Sequence, residues 1–574
     1  MSLPGGRHCL ISGEPLTHLL HNTFVSAALP RWHQPVCSSF GRPQRPVCAS
    51  AGVLERSAPA EATSRCSLTS LADSIKSGKR SAAEVTEEYL QRIESLDPQI
   101  LSYLAVNGEG ALTAARNIDE KVAAGSGAAL GPLAGVPISI KDNILTQGIE
   151  TTAASNILSG YHPPYSATII SKLQDAGAII LGKTNLDAFG MGSSTENSDF
   201  HTTRNPWDLE RVPGGSSGGA AAAMAASLCA ASIGTDTGGS IREPAAFCGV
   251  VGLKPTYGRV SRHGLVAYGS SLDTIGPLTH SVADAALLLG VIAGGDRHDA
   301  TSSHEAVPDY LKGLQSREQL SSKPLRGYRL GLIASTLDEG VDRPIHDNLQ
   351  RAAQHYESLG AEITTVKLPM FREGLTAYYL LAVAEASSNL ARYDGVRYGL
   401  RVPADGIKGM YKGTRSQGLG AEVKKRILMG TYALSAGHVD AFYKKALQMR
   451  KVVRDEMDAA LRDVDVLITP TTPSTAFKIG EHTTDPLELY RGDLMTVNLN
   501  LAGLPGISVP CGFDDSHRPG HPLPIGMQLI GKAHGEADML RIAHIFEQTA
   551  EWAQGTPPDF QHDVGKMDMK RKGC

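Results

Sequence analysis

Residues 213–242 read PGGSSGGAAAAMAASLCAASIGTDTGGSIR, and this stretch sets the fold class. Two glycine-serine turns enclose an alanine-rich run, Gly218 to Cys229, and a short apolar run, Ala231 to Thr235. The alanine-rich run is well under the ~20 residues needed to cross a bilayer and reads as a tightly packed internal helix. The apolar run has the length of a buried strand. The unit is therefore loop, helix, strand, loop. On either side the same alternation continues. Strands are predicted at Val136 to Ile140 and Ala178 to Leu181, with a helix at Ala167 to Asp175. Later strands fit Tyr328 to Ile333, Asp465 to Thr469, Gly506 to Val509 and Ile525 to Ile530. Helices fit Ile345 to Leu359, Val439 to Leu461 and Glu536 to Trp552. Short buried strands alternating with helices predict an α/β sheet covered on both faces.

The fold is expected to begin near Ser67. Ser81 and Glu84 make a capping box, and Val85, Tyr89, Ile93 and Leu96 share one face of a helix that Pro98 should stop. A second helical run covers Ala111 to Ala123. Residues 1 to about 54 carry Arg7, Arg31, Arg42 and Arg45 against a single acid, Glu14, with no sustained period. That composition suits an organelle transit peptide better than a secretory signal, with cleavage expected between Val47 and Ser67. The expected organisation is a leader over 1–66, one catalytic domain over 67–555 and a disordered tail over 556–574. Residues 370–450, with spaced Tyr, Arg and Lys, read as a helical insertion able to close over a pocket.

The bulk numbers exclude some classes. A net charge of −4 argues against a basic grip on nucleic acid. No stretch approaches the length of a spanning helix. The eight cysteines form no CxxC pair or Cys/His cluster with metal spacing and read as reduced thiols.

The two glycine-serine turns carry the chemistry. Glycines let backbone amides approach a ligand closely, and successive amides form a concavity suited to an oxyanion. A flexible linker is the bland alternative, but linkers are seldom embedded between apolar segments. A phosphate loop wants Lys-Ser or Lys-Thr after its last glycine, and neither run has one. Gly214-x-Ser216-x-Gly218 matches a nucleophile elbow, but the polar, proline-broken lead-in Trp207 to Pro213 is no strand.

A serine nucleophile needs a base, and neither turn contains a histidine. The candidate is Lys141, at the end of the strand Val136-Pro-Ile-Ser-Ile140. From a reference pKa of ~10.4, only about one lysine in a thousand is neutral near pH 7.4. Desolvation shifts of about 3–5 units can remove most of that deficit, and a lysine closing an apolar strand is placed to receive one.

A lysine after a short strand, a Gly-Gly-Ser-Ser-Gly-Gly turn and a Gly-Gly-Ser turn, at these intervals, together resemble the amidase signature family. The resemblance covers roughly residues 67–555 and implies a central twisted mixed β-sheet with helices on both faces. Carried over by position, Ser240 would be the acyl nucleophile and Ser216, after a cis peptide, the proton relay. Lys141 would be the base, and amides around Thr237, Gly238 and Gly239 the oxyanion hole. Glu243 departs from the family, which usually has glutamine there; Arg242 and the chain direction are expected to keep it outside the pocket.

Within the family, the chain is similar to the glutamine-hydrolysing subunits of tRNA-dependent amidotransferases. The runs that carry this are Gly190 to Asn197, Arg204 to Pro213, Glu385 to Arg392, Asp394 to Tyr398 and Asn500 to Pro505. In those subunits a tyrosine, an arginine and an aspartate hold glutamine, matched here by Tyr378 (with Tyr379 adjoining), Arg426 and Asp493. The resemblance implies no cofactor or metal in this chain. It implies a kinase-like, tRNA-binding partner, the B-subunit, that uses ATP with Mg²⁺ on Glu-tRNA(Gln) and receives the ammonia, and a small third chain, the C-subunit. It also implies residence in chloroplast stroma or mitochondrial matrix. The alternatives are a stand-alone amidase acting on another small or acyl amide, which would not need Arg426 and Asp493, and a non-catalytic scaffold.

Overall fold

Strand-forming runs of five or six residues, buried on both faces, need a partner strand on each edge and helices above and below. The structure, a computed structural model describing residues 66–336, 340–482, 486–517 and 521–557, meets that need with one mixed sheet. Its strands are β1 (Tyr103–Val106), β2 (Pro137–Lys141), β3 (Ile179–Thr184), β4 (Ala231–Asp236), β5 (Val251–Lys254) and β6 (Thr274–Thr279). These are followed by β7 (Arg329–Ile333), β8 (Glu362–Val366), β9 (Val466–Pro470), β10 (Gly506–Asp514) and β11 (Leu523–Ile530). Their spatial order is β1-β3-β2-β4-β6-β5-β10-β11-β9-β7-β8. The strands β3, β2 and β4 run parallel, and so do β9, β7 and β8; the pairs from β4 through to β9 are antiparallel. Helices flank this mixed sheet, as expected.

The expected strands are present within a residue or two, except that β3 runs on to Thr184 and β10 to Asp514. The strands β1, β5, β6 and β8 lie outside the expected set. β1 and β5 are only four residues long, β6 has Ile275 and Leu278 as its only large apolar residues, and β8 is half polar and only partly buried. The helix Ala82–Ile100 does not stop at Pro98. A proline removes one N–H, and in the last turn the chain absorbs the loss: the Asp97 carboxylate accepts the amides of Ser102 and Tyr103. At the other end Ser81 accepts the Glu84 amide at 3.3 Å, but Asp119, rather than Glu84, takes the amides of Ala82 and Ala83.

Two elements position the site. The helix Gly218–Ala225 is buried on every side, so its N-terminal serine turn is fixed from all directions. The expected insertion contains the helices Glu373–Asn389, Gly406–Gly418 and Ala421–Ala433, and the helix Lys445–Asp463 that follows matches the one expected over Val439 to Leu461. The first of these packs through Tyr378, Tyr379 and Leu381 into a cluster with Tyr268, Leu272, Met495 and Val497. Residues 1–65 of the expected leader (1–66) and residues 558–574 of the expected tail (556–574) lie outside the described residues.

Candidate active site

Adjacent parallel strands end together, and the chemistry of open α/β sheets gathers at their carboxyl ends. Lys141 is the last residue of β2, and Asp236 is the last of β4, beside it. The strand period of two puts Ile138 and Ile140 on one face and Ser139 and Lys141 on the other. Lys141 is fully buried. Its Nζ lies 2.8 Å from Ser216 Oγ, 2.8 Å from Ser217 Oγ and 3.4 Å from the Thr235 carbonyl. Burial pushes its ammonium down to about 7 against the opposing pull of Asp187, Asp236 and Asp273. The Gly215–Ser216 peptide is cis.

Ser240 joins this pair through the main chain. The Ser217 amide donates to the Ser240 carbonyl at 3.1 Å, which ties the two serine turns together. Ser240 is 7% exposed, and its hydroxyl makes no hydrogen bond among the described residues. The turn before it needs its glycines. A Cβ on Gly238 would stand 2.3 Å from the Tyr378 hydroxyl, and one on Gly239, at φ +146°, 2.3 Å from Thr496 Oγ1. The Gly239 amide, an expected oxyanion donor, instead donates to Asp236 Oδ1 at 2.9 Å. The amides of Thr237, Gly238 and Ser240 have no acceptor among the described residues.

Beneath the turn, Arg242 forks onto Asp236 with two bonds of 2.9 Å. It also donates to Gln528, Asn500 and the Thr496 carbonyl. Burial would raise Asp236, but Arg242 outweighs it and holds the carboxyl at about 2. Asp273 accepts the Thr237 hydroxyl at 2.7 Å, and Thr496 donates to the Gly238 carbonyl at 2.6 Å. Ser217, Asp273 and Thr496 went unsuspected. Ser217 had a signal, its place in the Ser-Ser turn, but Asp273 and Thr496 come from distant segments with no motif of their own.

The three expected substrate residues converge on the outer wall. Arg426 is 3% exposed, with Nε on Glu422 and Nη1 on the Tyr268 hydroxyl, each at 2.8 Å. The rings of Tyr268, Tyr379 and Tyr490 stand 5.5–5.9 Å from its guanidinium carbon. The Tyr379 hydroxyl donates to Asp493, while that of Tyr378 sits against Gly238 and Tyr268. Tyr379 thus orients the acid and Tyr378 faces the serine turn. Glu243 is not outside the pocket. It is 1% exposed and its carboxyl faces Asp493, because Arg242 turns inward to Asp236 and leaves its neighbour unpaired.

A family model described as Amidase matches residues 84–540. The chain belongs to the amidase family. This amidase is 53% identical over 501 residues to the chloroplastic/mitochondrial glutamyl-tRNA(Gln) amidotransferase A-subunit of Sorghum bicolor, covering 87% of this chain and 92% of that one. Among solved structures, it is similar to the glutamyl-tRNA(Gln) amidotransferase A-subunit of Thermotoga maritima. The TM-score is 0.68 at 39% identity, over 83% of the amidase chain and 94% of the other. It is also similar to the peptide amidase of Stenotrophomonas maltophilia, with a TM-score of 0.72 at 33% identity, over 86% and 98%.

Proposed function

We propose that this amidase is the glutamine-hydrolysing subunit of an organellar Glu-tRNA(Gln) amidotransferase. One observation carries the reading: the turn that holds Ser240 is joined to both charged residues, to Arg426 through Tyr378 and Tyr268, and to Asp493 through Thr496, whose hydroxyl meets the carbonyls of Gly238 and Asp493. Enzymes of this fold act on varied amides, but an arginine and an aspartate beside the serine turn suit a substrate bearing both a carboxylate and an ammonium group. The names of the Sorghum and Thermotoga relatives, both glutamyl-tRNA(Gln) amidotransferase A-subunits, support the amidotransferase reading.

Glutamine binds with its α-carboxylate on Arg426, whose Nη2 donates to no group among the described residues, and its α-ammonium on Asp493. Uncharged Lys141 accepts the Ser216 proton as Ser216 accepts that of Ser240. Ser240 Oγ attacks the side-chain amide carbon, and the carbonyl electron pair moves onto oxygen. The amides of Thr237, Gly238 and Ser240 hold that oxyanion; Ser240 takes the place expected of Gly239, whose amide is committed to Asp236. On collapse the C–N bond breaks, and ammonia leaves with the proton returned from Lys141 through Ser216. Water then cleaves the glutamyl ester by the same relay and releases glutamate.

The use of ammonia is assigned to partner chains. A kinase-like B-subunit holds ATP and Mg²⁺, activates Glu-tRNA(Gln) and receives the ammonia, and a small C-subunit completes the complex. Neither serine turn of this chain carries a phosphate-loop lysine, and among the described residues no three His, Cys, Asp or Glu side chains cluster to hold a metal. Residues 1–66 are assigned to a transit peptide for chloroplast stroma or mitochondrial matrix, in keeping with the Sorghum protein's name.

Intact-mass measurement after rapid mixing with glutamine tests the reading. A glutamyl adduct on Ser240 is expected, absent from Ser240→Ala, and the mass of the native protein locates the end of the leader between Val47 and Ser67. Turnover of aryl or lipid amides that is indifferent to Asp493→Ala would instead favour the stand-alone amidase.

A further inference from the structure

Glu243 is an acid without a counter-ion in the middle of this site. It lies in the first turn of the helix Arg242–Cys248, 1% exposed, and its Oε2 is buried with no hydrogen-bond partner among the described residues. The nearby cations are engaged elsewhere. Arg242 gives its donors to Asp236, Gln528, Asn500 and Thr496. On the outer side, Glu243 lines a cavity of about 560 Å³ together with Arg211 and Arg491. Arg211 pairs with Asp208 at 3.2 Å, and Arg491 with Glu488 at 2.8 Å. On the inner side Asp493 is in contact, and Asp187 and Asp236 add like charge from farther away.

Two carboxyl groups in contact cannot both be ionised in a buried site, so the pair holds a proton. Its place follows from what else each group touches. Asp493 accepts from Tyr379 and is stabilised as an anion by Arg426. Glu243 has neither aid.

We propose that Glu243 is a positioning residue for glutamine, kept protonated and donating a hydrogen bond to Asp493, so that the pair's single negative charge sits on the carboxylate that meets the substrate's ammonium. Burial first, then the neighbouring Asp493, push the Glu243 carboxyl well above the usual carboxylate range. Asp493, also raised by burial, is held at about 6 by Tyr379, Arg426 and this same bond. The proton stays with the pair through turnover: Glu243 transfers nothing and aims the acid that binds. The inference rests on the glutaminase reading.

The test uses the full chain in its assembled complex, assayed for glutamine hydrolysis near neutral pH. Glu243→Gln keeps a donor of the same shape, and KM for glutamine should stay within about twofold of the parent. Glu243→Ala removes the donor, and KM should rise about tenfold or more with kcat nearly unchanged. An infrared difference spectrum between the parent and Glu243→Gln should contain the carbonyl stretch of a protonated carboxyl. The inference is overturned if Glu243→Gln raises KM as far as Glu243→Ala, if neither substitution moves KM, or if that band is missing. Asp493→Ala is measured alongside. If it leaves KM unchanged, the glutamine reading itself has failed; if it raises KM while Glu243→Gln behaves as Glu243→Ala, only the role of Glu243 has.

Discussion

A lysine is a base only while uncharged, and burial brings Lys141 to about 7 even though three carboxylates pull the other way. The pH dependence follows with its sign. Above about 7 the amine is mostly free to accept the Ser216 proton; below it, each further unit of acidity removes about tenfold of the active form. Asp493 adds a second loss, because protonation near 6 takes away the charge that meets the ammonium. The kcat/KM profile should therefore bend down near pH 7 and steepen below about 6. Lys141→Arg, a cation that does not deprotonate, should lose about 10²–10⁴ in rate together with the upper bend. Steady-state assays across the range check this, and an upper bend that survives in the variant would remove Lys141 as the base. The residues of this relay were legible because each sits in or beside a local motif. Arg426 and Asp493 were reached only through resemblance, since a lone Arg or Asp carries no signal. Glu243 was misjudged because its exposure depends on where Arg242 turns, which is decided by Asp236, Asn500 and Gln528 from three separate segments.

Among helices and strands, the nucleophile turn is held from below by a helix end rather than by its own stiffness. Arg242 opens the helix after Ser240, and its fork onto Asp236 joins that helix to the end of β4, while its other bonds reach Thr496, Asn500 and Gln528. Replacing it by methionine leaves Asp236 buried and unpaired, with an expected cost of about 3–5 kcal/mol. The pH dependence gives an independent sign. Asp236 at about 2, against its ordinary 3.8, contributes stability that is complete above 3.8 and lost as pH falls toward 2, about 2 kcal/mol in all. Denaturant unfolding of Arg242→Met should show the larger loss at neutral pH and a flatter decline through the acid range. An unchanged midpoint would mean the fork carries no load. Local pattern also explains why β1, β5, β6 and β8 escaped the sequence reading. A buried strand is exposed in sequence by a short run dense in large apolar residues, whereas β6 has only Ile275 and Leu278 and β8 is half polar. The helix that supplies Tyr378 and Tyr379 was legible only as a helical insertion, because its face toward the site is settled by packing on Tyr268 and Met495.

Taken as one body, the chain is assigned the making of ammonia under the proposed reading, and the use of it goes to partner chains. The net charge of −4 fits that division, since it gives this chain no overall electrostatic pull on tRNA. That division separates making ammonia from consuming it, and a single substitution can tell the two apart. Ser240→Ala removes the nucleophile but leaves Lys141, Arg426 and Asp493 to pack as before, since the Ser240 hydroxyl bonds to nothing among the described residues. In the assembled complex, glutamine-driven conversion of Glu-tRNA(Gln) should fall by at least about a thousandfold. Conversion driven by ammonium chloride should stay within about twofold, because the partner's chemistry and the docking of this chain are untouched. Both rates come from one aminoacyl-tRNA assay with the two nitrogen donors in parallel. Equal loss with both donors would place Ser240 in assembly or in the acceptor site, and equal retention would mean that ammonia is freed from glutamine somewhere other than at this serine.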